Sequence, residues 1–322
     1  AVGRALLERE HARGARGQES VGAGARPDVL TPSDGVLSDA GAIAVAAGHF
    51  AAKRTSATTI ARYAKCPRQF MLSSILCLRE EVDPEEILEM QVSTRGTVVH
   101  KVLEEFIATT PPANLNVANK GQLTATIVAL TEKHFDVQVR KGLAGRRGLH
   151  ERTCTDIAAE CIAWLEHMLA TGVFNPGDRY FLEVEFPGPA LVGGPGGGVD
   201  ELVVPTASGP VRFRGYIDRL GVHPNGSFTV LDYKTGRVLD LEDGEIGDGT
   251  DLQLPLYMLA GAQALGLPVE TGSAAYEFVS RRNLYARITL TGDELQAQRA
   301  RFQQVMDEIA HGVATGDFHA QP

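Results

Sequence analysis

Two charged residues stand one residue apart at the end of an apolar stretch, GSFTVLDYKTGR, which runs from Gly226 to Arg237. The stretch reads as a β-strand, in which successive side chains point to opposite faces. Asp232 and Lys234 are therefore predicted on one face, about 7 Å apart at a strand rise of about 3.3 Å per residue. Taken alone, the two charges are best interpreted as an ion pair at a sheet edge, where charges discourage aggregation.

A third charged residue is predicted beside these two. Asp218 ends the stretch FRGYID, and the segment HPNGS that follows indicates a hairpin, because Asn-Gly suits a turn that needs positive φ. The hairpin sets the strand of Asp218 antiparallel to the strand of Asp232, so all three charged residues can share one edge of one sheet. The structural alternative for Asp218 is an ion pair with its neighbour Arg219, which is worth little when exposed.

These residue types suit metal-assisted hydrolysis. Two carboxylates with a further oxygen or imidazole ligand suit a hard divalent cation such as Mg²⁺ or Mn²⁺. The carbonyl of Tyr233, midway between Asp232 and Lys234, is a candidate for a further ligand. A lysine beside such a cation can orient the attacking water, while the metal polarises a phosphoryl oxygen. The pattern therefore predicts hydrolysis of a phosphodiester bond.

The elements that must position these residues change character halfway along the chain. The first half has helical periodicity, with helices predicted from Ser56 onward with a break at Pro67, and at residues 96–110, 119–140 and 152–171. The only tryptophan, Trp164, is predicted in the core. The second half has a period near 2, with one helix over DLQLPLYMLAGAQALG and a final helix from Gly292 to about residue 312. Its predicted strands are RYFLEVEFPG, VRFRGYIDRLGVH, SFTVLDYK, SAAYEFVS and LYARITL.

Composition limits the class of protein. The 322 residues are 43% hydrophobic, enough for one large domain or two small ones. No apolar run approaches the roughly 20 residues that span a bilayer, and the first residues lack the apolar core of a secretory signal. Four cysteines suit a reducing compartment, so we expect a cytoplasmic protein without membrane contact. The net charge of −9 argues mildly against bulk binding of nucleic acid, although it leaves room for a local basic groove.

The predicted core resembles a known enzyme superfamily. Asp218, Asp232, Tyr233 and Lys234 are similar to the D…(D/E)xK core of the PD-(D/E)xK nucleases. The segments TIARYAKCPRQFML and GYIDRLG also resemble the CP…F helix and the GxIDRID strand of RecB-like and AddB-like members. The resemblance covers about residues 55–318, with the motifs in family order.

Two further motifs extend the proposed site through the same resemblance. The segment RGTVVHKVLEEF resembles a family helix whose histidine binds the metal, which implies that His100 is a ligand together with Asp218 and Asp232. The segment QLPLYMLA resembles the family QxxxY motif, which maps onto Gln253 and Tyr257 on one helix face. For these two residues, helix packing is the structural alternative.

The resemblance implies a fold and a domain organisation. We expect an α/β fold of the restriction-endonuclease type, a mixed central sheet flanked by helices, with a helical subdomain in the first half. The nuclease domain would cover residues 55–322, with its helical part at about 55–175 and its sheet-containing core at about 178–312. Residues 1–54 would form an extended or partly helical arm. The chain opens at Ala1 and stops at GDFHAQP, so we expect a fragment of a longer protein.

An iron–sulfur cluster is implied only in part. In AddB-like domains one cysteine of the CP motif and three cysteines of a short C-terminal run hold a 4Fe-4S cluster. Cys66 matches the first of these, whereas Cys77, Cys154 and Cys161 lie elsewhere in the sequence. We therefore expect no assembled cluster unless a C-terminal cysteine run is missing from this chain. The alternative for Cys66 is an ordinary buried thiol.

A polyanionic substrate would require a basic lining. The stretch SRRNLYAR offers Arg281, Arg282 and Arg287 with Tyr285, and basic residues with an aromatic suit single-stranded nucleic acid. A second basic stretch is RKGLAGRRGLHER at residues 140–152. Either stretch could equally be a solvated loop. Glu185, on the strand RYFLEVEFPG, is a candidate further acid, with a solvated strand edge as its alternative.

The expected function is a Mg²⁺- or Mn²⁺-dependent DNA exonuclease that acts on single strands or ends during double-strand break repair. The resemblance implies a bacterial helicase–nuclease, with a helicase subunit or domain as partner. The alternatives are a catalytically inactive DNA-binding or assembly module of such a complex and a standalone repair or CRISPR-adaptation nuclease.

Overall fold

The computed structural model describes residues 34–79, 88–194, 196–236, 246 and 249–320. Of the predicted N-terminal arm, residues 1–33 lie outside these ranges. The described end of the arm contains helix α1, Ala40–Ala52, whose Ala42 and Ala46 are buried. This helix packs against the last helix of the chain. The domain boundary at residue 54 stays a prediction.

The predicted break at Pro67 is confirmed. Helix α2, Ala57–Lys65, begins after Ser56, whose side chain accepts a hydrogen bond from the backbone N–H of Thr59, as is typical of an N-cap. Pro67 then begins the short helix α3, Pro67–Phe70, which continues as one π-helical turn, Met71–Ile75. Proline suits the first position of a helix because its missing N–H would have no partner there.

Three longer helices form a separate layer: α4, Val92–Thr109, α5, Lys120–Arg140, and α6, His150–Thr171. The three predicted helices of this region are confirmed, with helix starts that differ by up to four residues. Apolar side chains from all three helices form one buried cluster, and Trp164 is fully buried within it. The helical first half is therefore a packed unit that rests on the sheet.

In the part of the chain that the structure describes, the sheet-containing half has seven strands. Five of them form a mixed sheet in the order β1-β4-β5-β6-β7, in which only the β5–β6 pair is parallel, and β2 and β3 form a separate small hairpin. The strands are β1, Arg179–Phe186, β2, Leu202–Val204, β3, Val211–Phe213, β4, Gly215–Val222, β5, Phe228–Lys234, β6, Gly272–Phe278, and β7, Arg287–Thr291. The predicted α/β class with a mixed central sheet is confirmed.

Two predicted elements are divided in the structure. The stretch VRFRGYIDRLGVH was predicted as one strand, but Arg214 separates β3 from β4, and the two strands belong to different sheets. The predicted final helix is two helices, α8, Gly292–Ala297, and α9, Arg299–Thr315, which are separated at Gln298. The predicted hairpin at residues 223–227 is confirmed, with Gly226 at φ 84°.

Helices cover both faces of the sheet. Helix α7, Gln253–Leu265, connects β5 to β6 and packs with α1, α2, α9 and residues such as Val230 and Tyr276 in one core. The cluster formed by α4, α5 and α6 covers the other face and includes Tyr233. Alternate residues of β5 therefore face different cores, as strand geometry requires. Among the described residues, no helix is both long enough and apolar enough to cross a membrane.

Candidate active site

The site forms where strands β4 and β5 stop pairing. The last paired residues of the two strands are Arg219 and Leu231, and beyond them the backbone N–H of Tyr233 donates to Oδ2 of Asp218 at 2.8 Å. Asp218 thus satisfies a backbone donor that has lost its strand partner. The N–H and C=O groups of one strand residue point to the same neighbouring strand. The carbonyl of Tyr233 therefore faces the same edge as the Asp218 carboxylate.

His100 approaches this edge from helix α4. Its Nδ1 lies 3.2 Å from Oδ2 of Asp218, and its ring meets the ring of Tyr233 edge-on with centroids 6.2 Å apart. Burial lowers the pKa of His100, but the hydrogen bond and charge of Asp218, together with the charge of Asp232, outweigh burial and raise the pKa. The structure therefore brings His100 and Asp218 into direct contact.

Asp232 and Lys234 lie on the opposite side of β5 from the Tyr233 ring, facing helix α7. The Lys234 Nζ is 2.6 Å from Oδ2 of Asp232 and donates to Oε1 of Gln253 at 2.6 Å. The Gln253 side chain in turn donates from Nε2 to Oδ1 of Asp232 and to the hydroxyl of Tyr257, each at 3.2 Å. The four side chains predicted from the DxK and QxxxY patterns are therefore one connected network.

The Asp232 carboxylate is in an unfavourable place for a charge. It is 4% exposed as a residue, and its buried Oδ2 makes no aligned hydrogen bond even though Nζ of Lys234 is close. Burial raises the pKa of Asp232 to about 6, Lys234 opposes this rise, and the negative charge of Asp218 adds to it. Lys234 also lies over the ring of Tyr276, with Nζ 4.4 Å from the centroid. The two carboxylates therefore repel each other across one sheet edge.

The donor set fits a hard divalent cation by its chemistry. Asp218, Asp232, His100 and the Tyr233 carbonyl supply oxygen and imidazole donors, and a cation at this edge would relieve the carboxylate repulsion. In the described ranges, however, no three acidic, histidine or cysteine side chains are gathered as a preformed metal cluster. Each carboxylate is instead paired, Asp218 with His100 and Asp232 with Lys234.

Strand β1 places Glu183 near the site, whereas the sequence had suggested Glu185. Glu185 accepts a hydrogen bond from the hydroxyl of Tyr216 at 2.9 Å, on the exposed side of the sheet. Glu183, which has a φ of 47°, lies 3.7 Å from the Nζ of Lys101. Burial raises the pKa of Glu183, and Asp218 contributes to the rise. Regular alternation, the basis of the sequence argument, would have given these two glutamates the same surroundings.

The cysteines do not converge in the described part of the chain. Cys66 separates α2 from α3, while Cys154 and Cys161 lie on α6 and Cys77 follows the π-helical turn; none of the four forms a disulfide. Burial raises the pKa of Cys161 to about 12. The neighbourhood of Cys66 includes the last described residues, because the N–H of Arg68 donates to the carbonyl of His319. A role of Cys66 as a cluster ligand stays a prediction.

The predicted nucleic-acid stretch forms a surface loop beside the end of β5. Arg281, Arg282 and Arg287 are exposed, and the ring of Tyr285 stacks on His167 of α6 with centroids 4.7 Å apart. Asn283 ties the loop to the chain that follows Lys234, through a hydrogen bond of 2.6 Å to the carbonyl of Gly236. The loop therefore adjoins the candidate site, and its contact with DNA stays a prediction.

Comparison with known proteins agrees with this geometry. The family model described as the PD-(D/E)XK nuclease superfamily matches residues 54–322. A comparison with curated proteins finds no match. The matched range contains the whole five-stranded sheet and each of the candidate site residues. The mixed sheet with helices on both faces is the expected restriction-endonuclease-like fold.

Proposed function

Because the chain belongs to the PD-(D/E)XK nuclease superfamily, we propose that it is a metal-dependent deoxyribonuclease that hydrolyses phosphodiester bonds at the edge formed by Asp218, Asp232 and Lys234. One observation supports this most. Lys234 contacts both the buried carboxylate of Asp232 and the side chain of Gln253. Burying charged groups costs free energy, and a surface that only binds DNA would not require such a buried cluster. The metal would be Mg²⁺ or Mn²⁺.

The binding roles follow from the side chains at the edge. His100, Asp218, Asp232 and the carbonyl of Tyr233 would hold the cation, which supplies Lewis-acid activation of the phosphoryl oxygen. The present pairing of His100 with Asp218 keeps the imidazole at this edge, aimed at the same oxygen that accepts from Tyr233.

Lys234 would act on the phosphate and on the attacking water. Its ammonium group has three donors; one is used by Gln253, and the group also pairs with Asp232. Its charge would offset negative charge that develops on the phosphate. Gln253 holds Lys234 and Asp232 at once, and Tyr257 holds Gln253. Gln253 and Tyr257 are therefore positioning residues in this proposal.

We further propose that the enzyme is an exonuclease for single strands or DNA ends in double-strand break repair, with a helicase subunit or domain as partner. The RecB-like and AddB-like motifs around Cys66, His100 and Gln253 support this narrower assignment. We place the enzyme in the cytoplasm because four cysteines in 322 residues suit a reducing compartment.

The test compares linear and circular single-stranded DNA of the same sequence with Mg²⁺, Mn²⁺ or EDTA. We expect the linear strand to be degraded from an end and the circle to survive. Cleavage of the circle would show an endonuclease and contradict the narrower proposal. Binding of both strands without cleavage in either metal would contradict hydrolysis and favour an inactive binding module.

A further inference from the structure

Helix α2 carries a basic stripe on its solvent side. Ile60 and Tyr63 are buried against the core, whereas Thr58, Arg62 and Lys65 follow one another at helical spacing on the face that is less buried. Arg62 is held in place by a hydrogen bond of 3.1 Å from its guanidinium to the hydroxyl of Ser73. The stripe therefore combines a fixed guanidinium with an exposed ammonium group.

This stripe forms one wall of a cleft that opens on the candidate site. The cleft has a volume of about 560 Å³, and its lining includes Arg62 and Lys65 together with Lys234 and Gln253. Among the described residues that line the cleft, the acid is Asp251, which accepts a hydrogen bond from the hydroxyl of Tyr276. A cavity of this size encloses about one small organic molecule, so it can hold a nucleotide or two of a single strand but not a duplex.

A second basic cavity lies at the other end of the same helix. It has a volume of about 790 Å³ and is lined by Lys53, Arg54, Arg212 and Arg214, with Glu201 as its acid. Arg54 and Arg212 share this one carboxylate, at 3.2 and 3.5 Å, so among the described lining residues four cations face a single acidic group.

Backbone hydrogen bonds fix this second cavity to the start of α2. Thr55 donates to the carbonyl of Arg212 and accepts from the N–H of Arg214, both at 2.8 Å. The backbone of Arg214, whose side chain is exposed, therefore has a defined position relative to Ser56, the N-cap of α2. The two cavities are thus parts of one rigid arrangement along the helix.

The length of α2 suits several phosphates. Nine residues of helix span about 13.5 Å, which is the rise of about four nucleotides in a stacked strand. The chain as a whole has a net charge of −9, so two cavities with six basic residues besides Lys234 stand out against an acidic background.

We propose that α2 and its flanking residues form a phosphate track, made of Lys53, Arg54, Arg62, Lys65, Arg212 and Arg214, which binds the backbone of a single nucleic-acid strand and leads it to Lys234. This inference rests on the proposed function, because it names the surface that delivers the substrate strand to that site. Binding through the track does not require cleavage, so the two ideas can fail separately.

The test measures the affinity for a fluorescently labelled oligothymidine in EDTA over a series of salt concentrations. One variant carries Lys53→Gln and Arg214→Gln, and a second carries Arg62→Gln and Lys65→Gln. The matched control carries Lys120→Gln and Lys133→Gln, which remove the same charge from α5, where each lysine pairs with a glutamate. Thermal unfolding of each variant verifies that it is folded.

The slope of log K against log salt is negative, and each lost phosphate contact reduces its magnitude by about 0.7 for a single strand. Each double variant should therefore lose about 1.4 from the slope, which is about 25-fold weaker binding at 0.1 M salt if all proteins converge at 1 M. The control should keep the wild-type slope.

Wild-type affinity in either double variant, or a loss no larger than that of the control, would overturn the track. No binding of the oligonucleotide by the wild type would also overturn it. If the wild type binds through the track but never cleaves with Mg²⁺ or Mn²⁺, the track stands and the proposed function fails.

Discussion

Replacing Asp232 by asparagine should make the metal-free protein more stable. The buried carboxylate is held ionised at neutral pH against a pKa that burial raises from 3.8 to about 6. Asparagine has nearly the same shape and resembles the protonated acid, and its amide can still contact Gln253. The substitution therefore removes the cost of the charge while it keeps most of the packing.

The expected gain in the free energy of unfolding follows from the shift in the pKa of Asp232. One pKa unit corresponds to about 1.4 kcal/mol, so the rise from 3.8 to about 6 makes ionised Asp232 destabilising by about 3 kcal/mol at pH 8. The folded state holds the proton more tightly than the unfolded state. The cost is therefore absent below pH 3.8, grows as the pH rises toward 6, and is complete above 6. Near pH 4.5 the advantage of the variant should be only about 1 kcal/mol.

The assay is urea unfolding in EDTA at pH 8 and pH 4.5, for wild type, Asp232→Asn and the control Asp156→Asn, whose carboxylate is exposed. Added Mg²⁺ should raise the midpoint of the wild type but not that of Asp232→Asn, because a ligand that binds only the folded state stabilises it. If Asp232→Asn is less stable than wild type at pH 8 without metal, the contacts of the carboxylate with Lys234 outweigh its burial, and the reasoning is refuted.

Four further single substitutions and one double variant test other residues of the site and of the core beside it. Gln253→Ala should lower kcat for DNA cleavage about 10- to 100-fold and Tyr257→Phe less than 10-fold, because Tyr257 acts only through Gln253; equal losses would contradict this order. His100→Ala should weaken Mn²⁺ binding measured by calorimetry, whereas unchanged affinity would exclude this histidine as a ligand. Arg219→Met should lower the free energy of unfolding in urea by about 3 kcal/mol or more, because it removes the cation that lies 3.8 Å from the buried carboxylate of Glu277. The double variant Arg219→Met with Glu277→Gln should recover most of this loss. A double variant no more stable than the single one would contradict the pairing.

Much of the fold could be predicted from sequence because the strongest local signals agree with the tertiary structure. The Asn225-Gly226 turn fixes the β4–β5 hairpin, and this hairpin brings Asp218 to the end of β5. Pro67 marks a helix boundary through its missing N–H. The division at Arg214 could not be predicted, because both sides of it have strand-like residues and only tertiary pairing separates them.

The sequence predicted which residues form the site better than it predicted the contacts between them. Spacing places Asp232 and Lys234 on one face of β5, and the structure shows their side chains in contact. Spacing says nothing of the hydrogen bond from the Tyr233 N–H to Asp218, which depends on where strand pairing stops. The position of Glu183 beside the site depends on its positive φ, which cannot be predicted from the identity of the residue.

The most direct test of the central claim is hydrolysis of an end-labelled single strand with Mg²⁺, with Lys234→Met and Asp218→Asn as variants. Methionine keeps the apolar stem of Lys234 without its charge, and asparagine can still accept from the N–H of Tyr233, so both variants should fold. The account predicts metal-dependent cleavage by wild type and a loss of at least about 100-fold in each variant, which is about 2.7 kcal/mol of transition-state stabilisation. Cleavage at the wild-type rate by either variant would contradict a nuclease centre at this edge of the sheet.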